Sequence, residues 1–383
     1  METNQNNKIY EEQYLLLCFI SVVTFKIVML PQYLVRSVGG NGYMVMAFMI
    51  AIEIMMLTVV YGIVKNGSIL EQDFPKWLKG VFAILIFASS IIKSTVRGSE
   101  GVAYIATSLF ANVSWTFVTL ALVMAGIYIA HKGAKVLARS AQIFFWIIAL
   151  AAVFFIIFSN IKLDPLNLMP FKVSGELAVA ADKYLMWFGD FTPLLLVTVV
   201  PSKNHGKKRL GIWTAFAILG TILLTVGVMI LFICTFGQAG ELIGNAFLNV
   251  SSLNKIFFMI GSADLPTVLS WLVMYIVKFS LLLYAMTTSA KFFFGDKYIV
   301  SIICGIIVYC IICFGIGNLK ANYNLATSWL RYLAFFIEFV VTIAAYIAMR
   351  VRQDKNEKHQ NVAPSENAEN ANQNVSEKLQ GEV

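Results

Sequence analysis

Two stretches of the sequence are most informative about its architecture: residues 24–31, TFKIVMLP, and residues 187–193, WFGDFTP. Each lies inside an apolar run and contains helix-breaking residues. Proline removes a backbone donor and clashes with the preceding helical turn, and glycine relaxes the backbone, so main-chain groups in both stretches lose their helical partners. An ordinary proline kink is the alternative interpretation of either stretch alone.

The composition around these stretches indicates a membrane protein. Hydrophobic residues make up 59% of the 383 residues, charged residues 13%, and the mean hydropathy is +0.76. Soluble domains have about 45–50% apolar and about 25% charged residues. With about 20 apolar residues per span, we expect an all-α polytopic protein with ten transmembrane helices. The predicted spans are 14–35, 43–64, 78–97, 112–130, 137–159, 181–200, 210–236, 265–290, 298–316 and 328–350.

Three regions follow along the chain: a cytoplasmic N-terminus at 1–13, a transmembrane domain at 14–350 and a disordered cytoplasmic tail at 351–383. The first apolar run lacks a small-residue cleavage site, so no removable signal peptide is expected. The tail is rich in Asn, Gln, Glu and Lys and cannot bury a core. The apolar run 256–260 is too short to span, which predicts a surface helix or a re-entrant piece.

Lysine and arginine placement predicts the orientation, because cytoplasmic loops retain positive charge. With the N-terminus inside, cytoplasmic regions hold 18 of these residues and external regions 6. Both termini are therefore expected in the cytoplasm. The formal charge of +8 reflects this bias and does not indicate nucleic-acid binding.

The two interrupted stretches fall in spans one and six, which correspond when ten spans are divided into two halves of five. Interrupted spans at corresponding positions are typical of transporters built from inverted repeats, whose substrate lies at the breaks near the midplane. The sequence therefore predicts two inverted five-helix repeats, with a small-molecule site between spans one and six.

Ionisable residues inside the apolar spans must pair, become neutral or line water, because an unpaired charge in hydrocarbon costs a few kcal/mol or more, on the order of 2.5–3.5 by insertion scales. Lys26 and Glu53 lie at about the same depth in adjacent spans, which predicts a buried ion pair. Asp190 is expected to accept a proton, hold a substrate ammonium or cap the following half-helix. Lys278 is expected to face the cavity or a carboxylate on another span. Glu338 has no partner that the sequence identifies.

Lys93 and Arg97 lie near the predicted outer end of span three, where they are expected to extend toward the membrane surface. Lys26, Glu53, Asp190 and Lys278 are thus the candidates for charge pairing or proton coupling. The candidate substrate-binding residues are Thr24, Lys26, Phe188, Gly189, Asp190 and Tyr284.

No motif supports enzyme chemistry. The chain has no Walker-type phosphate loop, zinc protease pattern or nucleophile elbow. Its five cysteines lie in apolar segments and its three histidines in polar connections or the tail, so neither a metal nor a cofactor is expected.

Several further patterns, in this order, resemble the spore germination permease family, the multispan B subunits of nutrient germinant receptors. That family belongs to the amino acid, polyamine and organocation transporter superfamily. The resemblance covers about residues 12–350 and rests on the stretches 29–31 (MLP), 39–40 (GG), 132–139 (KGAKVLAR), 163–170 (LDPLNLMP), 188–190 (FGD) with Pro201, and 278–285 (KFSLLLYA).

The resemblance implies a ten-span fold with substrate bound between spans one and six and flanked by spans three and eight. The implied function is recognition of a small nutrient, such as an amino acid, to trigger germination from the spore inner membrane. The implied partners are an A-type membrane subunit and a C-type lipoprotein, besides the lipid bilayer. A proton-coupled amino-acid permease acting alone is the alternative.

Two departures from the family pattern concern the site. Lys26 lies where the family has a small glycine-containing run, and Asp190 lies where glutamate is commoner. If Lys26 fills the cavity, a third possibility arises, a scaffold subunit whose site no longer binds ligand.

Overall fold

The computed structural model describes residues 8–353 except 109–112, 158–162, 170–174, 202–206, 253–254, 258–260 and 263. The first seven residues and the tail from 354 onward lie outside the described residues, so both predicted terminal regions stay predictions. The chain divides into two compact units, Met1–Thr342 and Ile343–Val383. Every residue of the site described below belongs to the first unit, and residues 343–353 of the second are helical.

Helices dominate the described residues. In chain order they are α1 Glu11–Lys26, α2 Leu30–Val38, α3 Gly42–Val64, α4 Lys76–Ser108, α5 Trp115–Lys132, α6 Ala134–Ile157, α7 Gly175–Lys183, α8 Lys207–Phe236, α9 Ala246–Ser252, α10 Asp264–Phe294, α11 Tyr298–Cys310, α12 Leu319–Thr327 and α13 Leu330–Gln353. The strands β1 Lys8–Tyr10, β2 Thr198–Val200, β3 Lys255–Phe257 and β4 Gly261–Ser262 form two short two-stranded sheets.

Seven helical segments in the described part of the chain are long and apolar enough to cross a membrane. They are Leu30–Val64, Lys76–Ala106, Trp115–Lys132, Ile212–Leu242, Thr267–Phe294, Tyr298–Ile316 and Leu330–Gln353. This confirms a predominantly helical, polytopic membrane protein. The number of ten spans and their arrangement as inverted repeats stay predictions.

Local sequence explains where several helices begin and end. The Ser114 hydroxyl accepts a hydrogen bond from the Phe117 amide at the start of α5, and the Asn318 side chain accepts one from Ala321 at the start of α12. These side chains satisfy amides that lack a partner in the first helical turn. Gly133 adopts φ +92° directly after α5, a conformation that residues with a Cβ rarely adopt, and so ends that helix.

The first predicted interruption lies between α1 and α2. Residues 27–29 form a turn there, and Pro31 falls in the first turn of α2, where its missing N–H has no helical partner to lose. Ile27 and Met29 retain helical dihedral angles, with φ/ψ of −83°/−10° and −96°/−33°. The first break is therefore a kink between two helices.

The second interruption is more extensive, and the prediction of one helix over 181–200 is wrong. A 3₁₀ turn, Leu185–Trp187, follows α7, and the backbone becomes extended at Phe188, with φ −60° and ψ 152°. A second 3₁₀ turn, Thr192–Leu196, contains Pro193 near its start. The chain then enters β2, which pairs in parallel with β1, ahead of α1.

Two further predictions about element boundaries are wrong. Span three was expected to end at residue 97, but α4 continues to Ser108, so Arg97 lies inside the helix. The run 256–260 was expected to be a surface helix or a re-entrant piece; the helix is wrong for residues 256–257, which belong to the strand Lys255–Phe257 paired with Gly261–Ser262, and 258–260 lie outside the described residues.

The helix α10 lies at the centre of the bundle. Of the seven candidate spans it is the most buried, with 78% of its apolar window inside the protein. It packs against α1, α4, α5 and α6. This position brings the α10 side chains to the broken segment between α1 and α2 and, through α4, to the second break.

Candidate functional site

Eight charged side chains surround the two breaks, and all are almost completely buried: Lys26, Lys93, Arg97, Lys278, Glu53, Glu100, Asp190 and Glu338. Four are cations and four are anions, so their formal charges sum to zero. Buried charges are tolerated when they are paired and hydrogen-bonded. We refer to these eight residues as the charge network.

Glu53, on α3, connects the two breaks. Its Oε1 lies 2.8 Å from Lys26 Nζ at the end of α1 and accepts a hydrogen bond of 2.6 Å from the Gly189 amide in the second break. Lys26 Nζ also donates to the Val22 carbonyl at 3.1 Å. The structure thus brings Lys26, Glu53 and Gly189 together through one carboxylate oxygen.

Asp190 is held between two ammonium groups. Its Oδ1 lies 2.8 Å from Lys93 Nζ on α4, and its Oδ2 lies 2.8 Å from Lys278 Nζ on α10. Lys278 also donates to the Ser21 carbonyl on α1 and lies 5.1 Å from the Phe25 ring centroid. The Asp190 carboxylate thus joins α4 and α10 to the second break, and its expected roles as proton acceptor, ammonium ligand or helix cap stay predictions.

Glu338, on α13, binds the far side of the second break. Its Oε2 accepts hydrogen bonds from the amides of Phe191 (2.7 Å) and Thr192 (2.8 Å). Its Oε1 accepts hydrogen bonds from the hydroxyls of Thr192 (2.8 Å) and Ser89 (2.7 Å). The carboxylate therefore replaces the carbonyls that a continuous helix would have offered to these amides.

Three other predicted binding residues lie in different surroundings. The Thr24 carbonyl accepts a hydrogen bond of 2.9 Å from the Trp271 indole, and Thr24 is fully buried. Phe188 packs edge-on against Phe335, with ring centroids 5.2 Å apart. The Tyr284 hydroxyl donates to the Leu196 carbonyl at 3.4 Å, so Tyr284 lies beside the end of the second broken segment and not among the charged residues.

Four of the eight members of the charge network were not expected there from the sequence: Lys93, Arg97, Glu100 and Glu338. Lys93 and Arg97 were expected to extend to the membrane surface, but only about 2% and 1% of their surfaces are exposed. Glu338 was left without a partner, although it makes four hydrogen bonds to the second break and its surroundings. The available signal was the spacing of Ser89, Lys93, Arg97 and Glu100, which lie on one face of a helix.

This arrangement satisfies many of the main-chain groups that the breaks release. Glu53 and Glu338 accept from amides, and Lys93 donates to the carbonyls of Gly189 (2.7 Å) and Phe188 (3.3 Å). A ligand can therefore bind the main chain at either break only when one of these side chains is displaced or has moved away. Among the residues that the structure describes, no group of three or more His, Cys, Asp and Glu side chains could hold a metal ion.

Broken segments joined by charged side chains inside a bundle of apolar helices define a class, that of membrane transporter folds with discontinuous helices. Comparison with solved structures gives the same fold. The crystal structure of MhsT in complex with L-phenylalanine superimposes with a TM-score of 0.57 and 15% sequence identity, covering 88% of this chain and 97% of that chain.

Comparison with protein families gives a narrower result. Residues 8–320 match the family model Spore_permease, described as spore germination protein. The chain therefore belongs to the spore germination permease family. Comparison with curated protein sequences found no match.

Proposed function

We propose that the chain is the membrane subunit of a nutrient germinant receptor, which recognises a small nutrient, such as an amino acid, and thereby triggers spore germination. Family membership supports the germination role. The shared fold with MhsT, which was solved with L-phenylalanine, supports an amino-acid-sized ligand between the breaks. We place the protein in the spore inner membrane with both termini in the cytoplasm, as ten spans in two inverted five-helix repeats.

The observation that favours a receptor is that side-chain ammonium groups occupy the polar positions between the breaks. Lys26 binds Glu53, and Lys93 and Lys278 bind Asp190. An inorganic coupling ion crosses the membrane with its substrate, but a lysine ammonium is tethered to its helix. A ligand that displaces one of these contacts would release the two breaks from each other, and neighbouring subunits would detect that movement. The partners in this proposal are an A-type membrane subunit and a C-type lipoprotein.

A proton-coupled permease acting alone is the second candidate, and the Lys278–Asp190 contact favours it. Uptake of a proton by Asp190 would neutralise its carboxylate and remove its attraction to the Lys278 ammonium, so one protonation step could release α10 from the second break. A scaffold subunit without ligand binding is the third candidate, because Lys26 lies at the first break in place of a small residue.

Ligand binding and transport separate these candidates. The purified full-length chain is titrated with the twenty L-amino acids, glucose and inosine, and is then reconstituted into proteoliposomes for uptake measurements with any ligand that binds. A receptor binds without uptake, and a permease accumulates the ligand when a proton gradient is applied. Failure of every ligand to bind would contradict both the receptor and the permease, and the scaffold subunit would be the remaining candidate.

Two variants test whether the ligand site includes the second break. Gly189→Leu is expected to abolish ligand response without removing the protein from the membrane. Asp190→Asn is expected to weaken the response or change its pH dependence, because it removes the negative charge between Lys93 and Lys278. Normal binding by both variants would place the site elsewhere.

Reporter fusions test the proposed orientation. A fusion after Asn160 is expected to report an external position and a fusion after Lys207 a cytoplasmic one. The reverse pattern would contradict the topology without affecting the ligand-binding proposal.

A further inference from the structure

Arg97 and Glu100 form a charged pair that lies one helical turn beyond Lys93 on the same face of α4. Arg97 Nη1 donates to Glu100 Oε2 at 3.0 Å, and both side chains are buried, with at most 3% of their surfaces exposed. Lys93 contacts Asp190 and Glu338, whereas the pair that Arg97 forms with Glu100 stays within α4. The pair therefore has no charged partner from another helix among the described residues.

This pair nevertheless contacts both broken segments. The Arg97 guanidinium lies 5.0 Å from the Phe25 ring centroid, at the end of α1, and 5.5 Å from the Trp187 ring centroid, just before the second break. Its Nη2 donates to the Met186 carbonyl at 2.7 Å. Phe25 packs edge-on against Tyr275 at 5.5 Å. The Arg97 guanidinium thus lies against one aromatic ring from each broken segment, and the Phe25 ring packs on α10.

Each member of the pair keeps a buried polar atom without a partner. Arg97 Nε and Glu100 Oε1 have no hydrogen bond, although neither atom is accessible to solvent. The indole N–H of Trp187, whose ring lies against Arg97, has no hydrogen-bond partner either. A buried guanidinium donor and a buried carboxylate acceptor without hydrogen bonds require an explanation, because buried polar groups are normally paired.

We propose that Arg97 and Glu100 bind the charged ends of an α-amino acid ligand, with its carboxylate at Arg97 Nε and its α-ammonium at Glu100 Oε1. A zwitterion placed against an ion pair leaves the net charge of the site at zero. The ligand side chain would then pack on Phe25 and Trp187, which favours an apolar amino acid. Asp190 is a poorer partner for the ammonium, because both of its oxygens already contact lysines.

This inference rests on the proposed function, since it specifies the ligand of the site between the breaks. The test compares each L-amino acid with its carboxamide, which lacks the negative charge, and with its N-acetyl form, which lacks the positive charge. Binding to the purified full-length chain is measured by isothermal titration calorimetry. The unmodified protein is expected to prefer the free amino acid about 100-fold or more over either blocked form, because each blocked form leaves a buried charged group unpaired.

Two variants assign the ends of the ligand. Arg97→Lys keeps the positive charge but loses the planar donor edge, and is expected to reduce the preference over the carboxamide about 10-fold while leaving the preference over the N-acetyl form. Glu100→Gln is expected to reduce the preference over the N-acetyl form about 10-fold while leaving the preference over the carboxamide. Arg331→Lys is the matched control, because Arg331 pairs with Asp182 away from the charge network, and it should change neither preference.

A purely structural role would weaken the free amino acid and its blocked forms equally, so unchanged preferences in both variants would overturn the inference. Where a single variant fails to fold, the double variant Arg97→Gln/Glu100→Gln, which leaves no buried charge unpaired, is used, and retention of both preferences there would also overturn it. Binding of glucose or inosine without any amino acid would overturn the inference and leave the proposed function in place. Binding of none of these probes would overturn both.

Discussion

The two breaks differ in which main-chain groups lose their helical hydrogen bonds and in which groups replace those bonds. At the first break the groups are carbonyls: Thr24 accepts from the Trp271 indole, and Val28 accepts from the Ala246 amide. At the second break the exposed groups include amides, and carboxylates accept from Gly189 and Phe191. The first break retains helical dihedral angles, whereas the second is extended at Phe188.

This difference indicates that the second break depends more strongly on distant side chains. A kink keeps most helical hydrogen bonds, so its stability is largely local. An unwound segment in a membrane protein is tolerated only where other groups replace the lost bonds. Substitutions that remove those replacements should therefore have larger effects at the second break than at the first.

The largest effect is expected for Glu338→Ala. The change leaves the Phe191 and Thr192 amides unsatisfied and removes one partner of Lys93, so we expect the free energy of unfolding to fall by about 3–5 kcal/mol. Denaturant unfolding in detergent measures this. The control is Asp182→Asn, which breaks the more exposed pair with Arg331 and should cost about 1 kcal/mol or less. Equal losses would contradict the dependence of the second break on Glu338.

The next effect concerns Lys26 and Glu53, which join the breaks. Lys26→Met and Glu53→Gln should each cost about 3 kcal/mol, because each leaves the other charge buried without its partner. The double variant should be more stable than the sum of the single losses predicts. Strictly additive losses would argue against coupling.

A smaller decrease in the free energy of unfolding is expected for Gly189→Ala. An added Cβ would lie 2.9 Å from a carbon of the Phe191 ring and 3.4 Å from the Glu53 carboxyl carbon, so we expect a cost of about 1–3 kcal/mol. Gly62→Ala on α3 is the matched control, because an added Cβ there meets no atom within 4 Å. Alanine is favoured over glycine inside a helix, so the control should be neutral or slightly stabilising. Thermal unfolding of the two variants in detergent separates these outcomes.

The smallest effect is expected at the first break. Trp271→Phe keeps an aromatic ring of lower volume but removes the N–H that donates to the Thr24 carbonyl. We expect a loss of about 1–2 kcal/mol, the cost of one unsatisfied buried acceptor. The same unfolding measurement as for Glu338→Ala ranks the two breaks. A larger loss here than for Glu338→Ala would reverse the proposed order.

The sequence predicted the location of both breaks because proline and glycine act through local backbone geometry. It also predicted a partner for Lys26, since Glu53 is in the adjacent span at a similar depth. It did not predict that residues 192–200 would form a 3₁₀ turn and a strand, because that conformation depends on Glu338 from the last helix and on pairing with β1. These contacts are distant in sequence and leave no local pattern.

The expectation that Lys93 and Arg97 extend to the membrane surface was wrong for a different reason. A window of about 20 residues places the end of span three near Arg97, whereas α4 continues beyond it to Ser108. The side chains that seemed close to a membrane surface are therefore interior. Four polar residues from Ser89 to Glu100 lie on one helical face. This spacing predicts that the helix continues through Glu100, and it is a better guide here than a boundary set by hydropathy alone.

The contacts of Glu338 determine when the charge network can assemble during synthesis. Ser89 and Glu338 are 249 residues apart, and Phe191 and Glu338 are 147 apart. At a translation rate of about 5–20 residues per second, α4 must wait roughly 12–50 s for Glu338 to leave the ribosome. During that interval Lys93 and the amides of the second break lack this partner while neighbouring helices enter the bilayer. Assembly of the charge network is therefore completed only when α13 inserts, and a nascent chain truncated before residue 338 should be a substrate for membrane quality control.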